Sequence, residues 1–252
     1  MQNLILVTLG VTLLVFGINQ RAFSHQPWNA VRPFITDDAR VVGGGLSQVE
    51  SWTRIGNKTG ELWVMAGYGP MPELEVSVGA VSGIVNNGSG QRFTYALPLL
   101  QAKYLFRPYG PDAWPGLAVV AGTFLPWGQG DLVAPGYGTF VFGTVSQCFG
   151  ENEDVLIHLN VGANILNDKA TSETEILRTW GLGTQIRTLG GFHIVAEIFS
   201  GDPYVPGSGT SWQAGFRHFF SDDLQIDGTV GKGIHGSPAL PMWVSAGVRI
   251  VL

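Results

Sequence analysis

The chain has 252 residues, of which 13% are charged and 36 are glycine; that is about half the charged share usual in soluble domains, with glycine well above average. Its net charge of −5 argues against nucleic acid as a partner. The lone Cys148 permits no internal disulfide and reads as a small buried or lipid-facing residue.

Residues 4–18 are almost wholly apolar and run through Arg21 to Ala22-Phe23-Ser24, small residues at the minus-three and minus-one positions of a cut. This predicts a signal peptide over 1–24, too short to span a membrane comfortably as a helix. The cut removes Arg21 and leaves 13 basic against 19 acidic residues, a net charge of −6. No later apolar run reaches about twenty residues, which excludes a helical membrane protein. A β-barrel fits this composition, because it needs apolar residues only at alternate positions and closes its own hydrogen-bonded edges.

Residues 25–43 read as a periplasmic lead-in or a lumen plug, and 44–252 as the barrel. Strand-like runs broken by Gly, Pro, Asn and Asp fall at 44–55, 61–68, 74–82, 93–106, 117–126, 138–149, 155–166, 175–187, 192–200, 210–220, 224–232 and 242–252. The fold class is therefore all-β, a transmembrane antiparallel up-and-down barrel of about twelve strands, an even number as single-chain barrels require. With the N-terminus in the periplasm, the turns at 69–73, 107–116, 150–154, 188–191 and 221–223 are periplasmic. The Gly- and Pro-rich segments 83–92, 127–137, 201–209 and 233–241 then form longer external loops. Tyr68, Tyr104, Phe106, Phe149, Phe192, Phe219 and Phe220 are expected at the inner membrane–water boundary. Phe124, Trp127, Phe140, Trp180, Phe199, Trp212 and Trp243 are expected toward the outer one.

Alternation divides each strand into a lipid face and a lumen face. In the seventh run Ile157, Leu159, Val161, Ala163 and Ile165 point out, leaving His158 and Asn160 inside; in the ninth, His193 and Glu197 point in; in the eleventh, Asp227 does. The same reading places Glu50, Arg54, Lys103, Arg187, Gln213, Arg217 and Arg249 in the lumen. Charges of both signs in a narrow interior must pair or be hydrated, so these residues either line a hydrated path or brace a filled barrel. In the final strand Val244, Ala246, Val248, Ile250 and Leu252 form one apolar face, similar to the C-terminal signal by which the barrel-assembly machinery recognises outer-membrane barrels. Outer-membrane lipid is the other expected partner.

Catalytic and metal chemistry is sparse. His158, His193, His218 and His235 occur without a nucleophile signature such as Gly-x-Ser-x-Gly, no His or Cys pair has metal-ligand spacing, and Asp37, Asp38 and Asp131 sit in nothing like a calcium loop. No cofactor is expected. Gly43-Gly44-Gly45 and Gly128-Gln129-Gly130 read as turn glycines, because neither follows a strand and opens a helix.

Arg32-Pro33-Phe34-Ile35-Thr36-Asp37-Asp38-Ala39-Arg40 precedes Gln48-Val49-Glu50-Ser51-Trp52, and Leu74-Glu75-Val76-Ser77-Val78-Gly79 and Gln101-Ala102-Lys103-Tyr104-Leu105-Phe106 follow. From Arg32 to Leu252 the chain resembles the outer-membrane family named for the meta-cleavage pathway of phenol degradation. That resemblance implies a transport role without establishing a substrate, and it offers no catalytic residues; the chain is read as a passive channel for small molecules, with hydrophobic or aromatic compounds among the candidates. Arg32, Asp37, Asp38 and Arg40 are the candidate plug or gate residues, with Asp37 and Asp38 expected to meet Arg217 or Arg249. A closed structural or adhesive barrel and a barrel enzyme acting on lipids are the competing readings.

Overall fold

The computed structural model describes residues 35–252 apart from 87–89, 112, 135, 151, 168–172, 203–204 and 237–238. The signal-peptide expectation for 1–24 and the candidate Arg32 lie outside the described residues. Twelve strands follow one another: β1 (Ser47–Gly56), β2 (Thr59–Met71), β3 (Leu74–Asn86), β4 (Gln91–Arg107), β5 (Gly116–Gln129), β6 (Gly138–Phe149), β7 (Val155–Asn167), β8 (Thr174–Arg187), β9 (Phe192–Asp202), β10 (Val205–Phe219), β11 (Leu224–His235) and β12 (Trp243–Val251). Each pairs with the next, and β1 pairs with β12 to close the barrel. At that seam Glu50 lies opposite Arg249, and Ser47 and Leu252 exchange backbone hydrogen bonds of 3.0 and 2.8 Å. Closure satisfies the ladder of every strand, which is what allows a sheet to sit in hydrocarbon.

The two-residue period of the sequence sets the two faces. Along β7, Leu156, His158 and Asn160 are buried while Ile157, Leu159 and Val161 are exposed, Val161 to 61%. The exposed face continues round the barrel through Val64, Val78, Val145, Leu182, Ile194 and Val244. An apolar belt of this extent far exceeds what a soluble surface carries, and it is the lipid-facing band of a membrane barrel. Tyr68, Tyr104, Phe106, Phe149, Phe192 and Phe220 are exposed at the end that carries Ser47 and Leu252, and Trp127, Trp180 and Trp212 toward the other.

Two expectations are corrected. Phe140, Phe199 and Trp243 are buried in the lumen, and Phe124 packs against Phe140 rather than lying at the outer boundary. Position along a strand gives height, whereas parity gives the face: Phe199 stands two residues from inward Glu197. The hairpins also run further than turn-forming residues imply, so β3 reaches Asn86, β5 reaches Gln129 and only residues 203–204 separate β9 from β10.

Candidate functional site

The lumen is divided by height. Toward the outer end, Met65, Leu99, Val120 and Phe140 form a buried apolar cluster with Trp52, Phe124 and Phe142 packed against it. Trp52 and Trp63 face each other across β1 and β2 with ring centroids 5.7 Å apart and planes inclined by 2°. Above this floor lies a cavity of about 610 Å³ rimmed by loop residues such as Lys58, Asp131 and Tyr137 and walled mainly by apolar side chains. Its charged wall is the pair Arg54–Glu61 at 3.3 Å, with Trp63 donating its indole N–H to Glu61 at 2.9 Å.

Below the floor the lumen is polar, and the lead-in segment occupies it. Before β1 the chain reverses through Gly43 (φ 95°) and Gly45 (φ 80°), a left-handed conformation that favours glycine. Gly45 N–H donates to the Gly69 carbonyl at 2.7 Å and fixes the turn to β2. Thr36, Asp37, Asp38 and Ala39 are all buried. Their backbone forms no ladder, so its polar groups must be met by side chains. Those side chains come from around the wall. Glu197 accepts from Ile35 N–H at 3.1 Å, from Thr36 N–H at 2.8 Å and from the Thr36 hydroxyl. Asn160 accepts from Asp37 N–H at 2.5 Å and donates to its carbonyl at 2.8 Å, which also accepts from Thr144 at 2.7 Å. Ser146 accepts from Ala39 N–H, and Glu75 from Val42 N–H, each at 2.8 Å.

The charged side chains of the segment have partners of their own. Lys103 Nζ donates to Asp37 Oδ1 at 2.9 Å and stands 3.9 Å from Asp38. Arg40 donates through Nε and Nη2 to Asp38 Oδ2 at 3.1 and 2.9 Å, approaches Glu153 at 4.0 Å, and lies 5.3 Å from the Tyr109 ring centre. At the turn between β6 and β7, burial pushes the Glu153 carboxyl above its usual range against the pull of Arg40. The expected partners Arg217 and Arg249 are engaged elsewhere: Arg217 donates to Gln185 at 2.6 Å, and Arg249 donates to Gln48 and lies 3.4 Å from Glu50. The segment turns toward β4, β6 and β7, which places Asp37 beside Lys103.

Glu50, Lys103, His158, Asn160, His193, Glu197, Gln213, Arg217, Asp227 and Arg249 are buried in the lumen. Arg54 stands at the cavity wall, and Arg187 reaches the rim at the opposite end, donating to the Asn152 carbonyl in the turn between β6 and β7 at 3.1 Å. Gln213 donates to Glu197 and accepts from Thr229 at 3.1 Å and from the Trp243 indole at 3.3 Å. His158 is buried with neither ring nitrogen hydrogen-bonded. Residue-type reasoning missed Glu75, Thr144, Ser146, Gly181 and Gly183. Parity could have found the first three, which alternate with outward Val76 and Val145. The glycines make room: a Cβ at Gly181 would overlap the Thr36 methyl, and one at Gly183 would meet His158 and the Thr36 hydroxyl. Among the described residues no His, Cys, Asp and Glu group has the arrangement to hold a metal ion.

A closed twelve-stranded barrel with an apolar exterior, aromatic boundaries and a polar interior defines a bacterial outer-membrane β-barrel. The chain matches, over residues 19–252, the family described as uncharacterised conserved protein UCP029691, and it belongs to that family. No curated protein matches it. Its fold is similar to the COG4313 outer membrane channel from Pseudomonas putida F1, with 13% identity, 88% of this chain and 100% of that chain covered, and a TM-score of 0.60. It is also similar to the KdgM porin in complex with disordered oligogalacturonate (8% identity, 81% and 98% covered, TM-score 0.56) and to the NanC porin (10%, 81% and 98%, 0.52). At these identities the likeness establishes the fold.

Proposed function

We propose that the barrel is a passive outer-membrane channel for small molecules, entered through the outer cavity and closed from the periplasmic side by the lead-in segment. One observation carries the reading: a cavity of about 610 Å³ stands above a lumen whose lower half is filled by residues 35–42. That filling is fastened to the wall by side-chain hydrogen bonds and the Lys103–Asp37 ion pair rather than by a strand ladder. A segment held this way can leave the lumen without breaking the barrel, whereas a filler built from the strands themselves could not. The mostly apolar walls favour uncharged, hydrophobic or aromatic solutes, in keeping with the resemblance to the phenol-degradation family. No catalytic role is assigned to any residue.

The test is conductance in planar bilayers of the refolded chain without residues 1–24. Charge reversal at Asp37 and Asp38 should raise the frequency or size of conducting steps, because Lys103 on β4 would then repel the segment. Silence from wild type and charge-reversed protein alike, in barrels shown to be folded, would overturn the channel reading and favour a closed structural barrel.

A further inference from the structure

The lipid face of the barrel is apolar nearly throughout, and two cations interrupt it. On β8 the outward residues run Ile176, Arg178, Trp180 and Leu182, and on β11 they run Val230, Lys232 and Ile234. Arg178 and Lys232 are exposed, and among the described residues neither has a hydrogen-bond or ion-pair partner. Every other lysine or arginine of the described strands faces the lumen, as Lys103, Arg217 and Arg249 do, or stands at a strand end, as Arg92, Arg107 and Arg187 do. A cation on the lipid face is costly in hydrocarbon and tolerated only where headgroups or water can reach it.

The two cations share one height. Lys232 lies opposite Trp212, Trp212 opposite Ile198 and Ile198 opposite Leu182, four residues along β8 from Arg178. In a tilted barrel, however, register is not height. Followed from pair to pair, Glu50 leads through Met65, Gly79, Leu99 and Phe124 to Gly138, from near the start of β1 to the cavity end of β6. The path climbs strand by strand, so the four-residue offset brings Lys232 level with Arg178. From strand spacing and rise per residue, their backbones stand roughly 19 Å apart. Midway between them, Ser200 on β9 faces Thr210 on β10, with Trp180 opposite Ser200 and Trp212 two residues from Thr210 on the same face. Two exposed tryptophans thus flank short hydroxyl side chains, with a cation beyond each.

We propose that this surface of β8 to β11 binds one phosphorylated glycolipid of the outer leaflet. Arg178 and Lys232 pair with phosphates at the two ends of its sugar headgroup, the Ser200 and Thr210 hydroxyls lie under the sugars, and Trp180 and Trp212 stand where headgroup meets acyl chains. The cavity end is taken as outward, as in the channel reading. Guanidinium and ammonium are the side chains that hold phosphate, tryptophan favours the membrane boundary, and basic residues there gain from anionic headgroups. Ile176 and Ile234, 67% and 57% exposed, continue the apolar face beyond the cations, which keeps both charges at headgroup depth. The spacing is too wide for the single phosphate of a phospholipid and suits a headgroup with two phosphates set apart.

The test is native mass spectrometry of the refolded chain without residues 1–24, counting lipid retained from detergent. The probes are diphosphoryl lipid A, monophosphoryl lipid A and phosphatidylglycerol. Arg178→Gln with Lys232→Gln removes the two cations, Arg92→Gln with Arg107→Gln removes the same charge elsewhere, and heat-modified gel mobility reports folding. The expected result is retention of diphosphoryl lipid A over both other lipids. It should weaken on the order of tenfold or more in the first variant and stay unchanged in the second. A cysteine at Asn57, in the β1–β2 hairpin, with Cys148→Ser in the background, should react in intact cells with a maleimide that cannot cross the membrane. Equal retention of the three lipids, or equal retention by wild type and the Arg178 and Lys232 variant, would overturn the site. Labelling of Asn57→Cys only after lysis would overturn it too, by placing the cations in the inner leaflet; bilayer conductance, which needs no fixed orientation, would still decide whether the barrel is a channel.

Discussion

Lys103 on β4 and Asp37 in the lead-in segment, 66 residues apart in the chain, meet at 2.9 Å inside the barrel, where both are buried. Removing one member of a buried ion pair typically costs about 3–5 kcal/mol, because the other is left uncompensated. Lys103→Met should therefore release the segment, seen as more frequent conducting steps. Adding Asp37→Asn to Lys103→Met should restore much of the closed state. Equal conductance of Lys103→Met and wild type would show that the pair does not hold the segment.

Glu197 gathers Ile35 N–H, Thr36 N–H and hydroxyl, and the Gln213 amide on one carboxylate. Glu197→Gln keeps the shape but replaces acceptor capacity with an NH₂ donor and removes the charge. Each hydrogen bond to a charged group contributes about 1.5–3 kcal/mol. A cysteine placed at Thr36 in this variant should react faster with a periplasmic thiol reagent than the same cysteine opposite native Glu197. Identical rates would contradict the role given to Glu197.

Gly181 and Gly183 should tolerate no side chain while the segment is docked. Gly181→Val ought to expel Thr36 and raise conductance while leaving the barrel folded, because both glycines face the lumen rather than the lipid. Deleting residues 35–40 should abolish the difference between Gly181→Val and wild type; a difference that survives the deletion would mean that the substitution acts on the barrel wall.

Phe140 is the largest of the four buried side chains of the apolar floor. Phe140→Ala should lower resistance to unfolding by denaturant by about 3–5 kcal/mol, as large core truncations do. It should change conductance only when the lead-in segment is also displaced, because the two obstacles lie in series. An equally large increase with the segment in place would show that the segment does not block.

Strand order, number and most boundaries were legible in the sequence because the two-residue period and the Gly, Pro and Asn breaks are local signals. Parity likewise carried Glu50, Glu197, Asp227 and Arg249 to the lumen, and would have carried Phe199 and Glu75 had it been applied before aromatic position or family resemblance. Partner choice was not legible. Arg217 and Lys103 are equally inward by parity, and which of them meets Asp37 depends on the direction the chain takes after the Gly43–Gly45 reversal, a three-dimensional fact with no local trace. The room for Thr36 was equally hidden, because Gly181 and Gly183 look like ordinary strand glycines until the segment lies against them.

The reversal at Gly43–Gly45 joins the lumen segment directly to β1, whose first residue is bonded to Leu252 at the seam. The segment is thus on a leash of a few residues and cannot diffuse away when displaced. For a short flexible tether the effective concentration of such a group at its own site is on the order of millimolar. Return is therefore unimolecular and independent of how many barrels the membrane holds. Each passage would be a brief excursion, and the resting state would be re-established by the same molecule that left it.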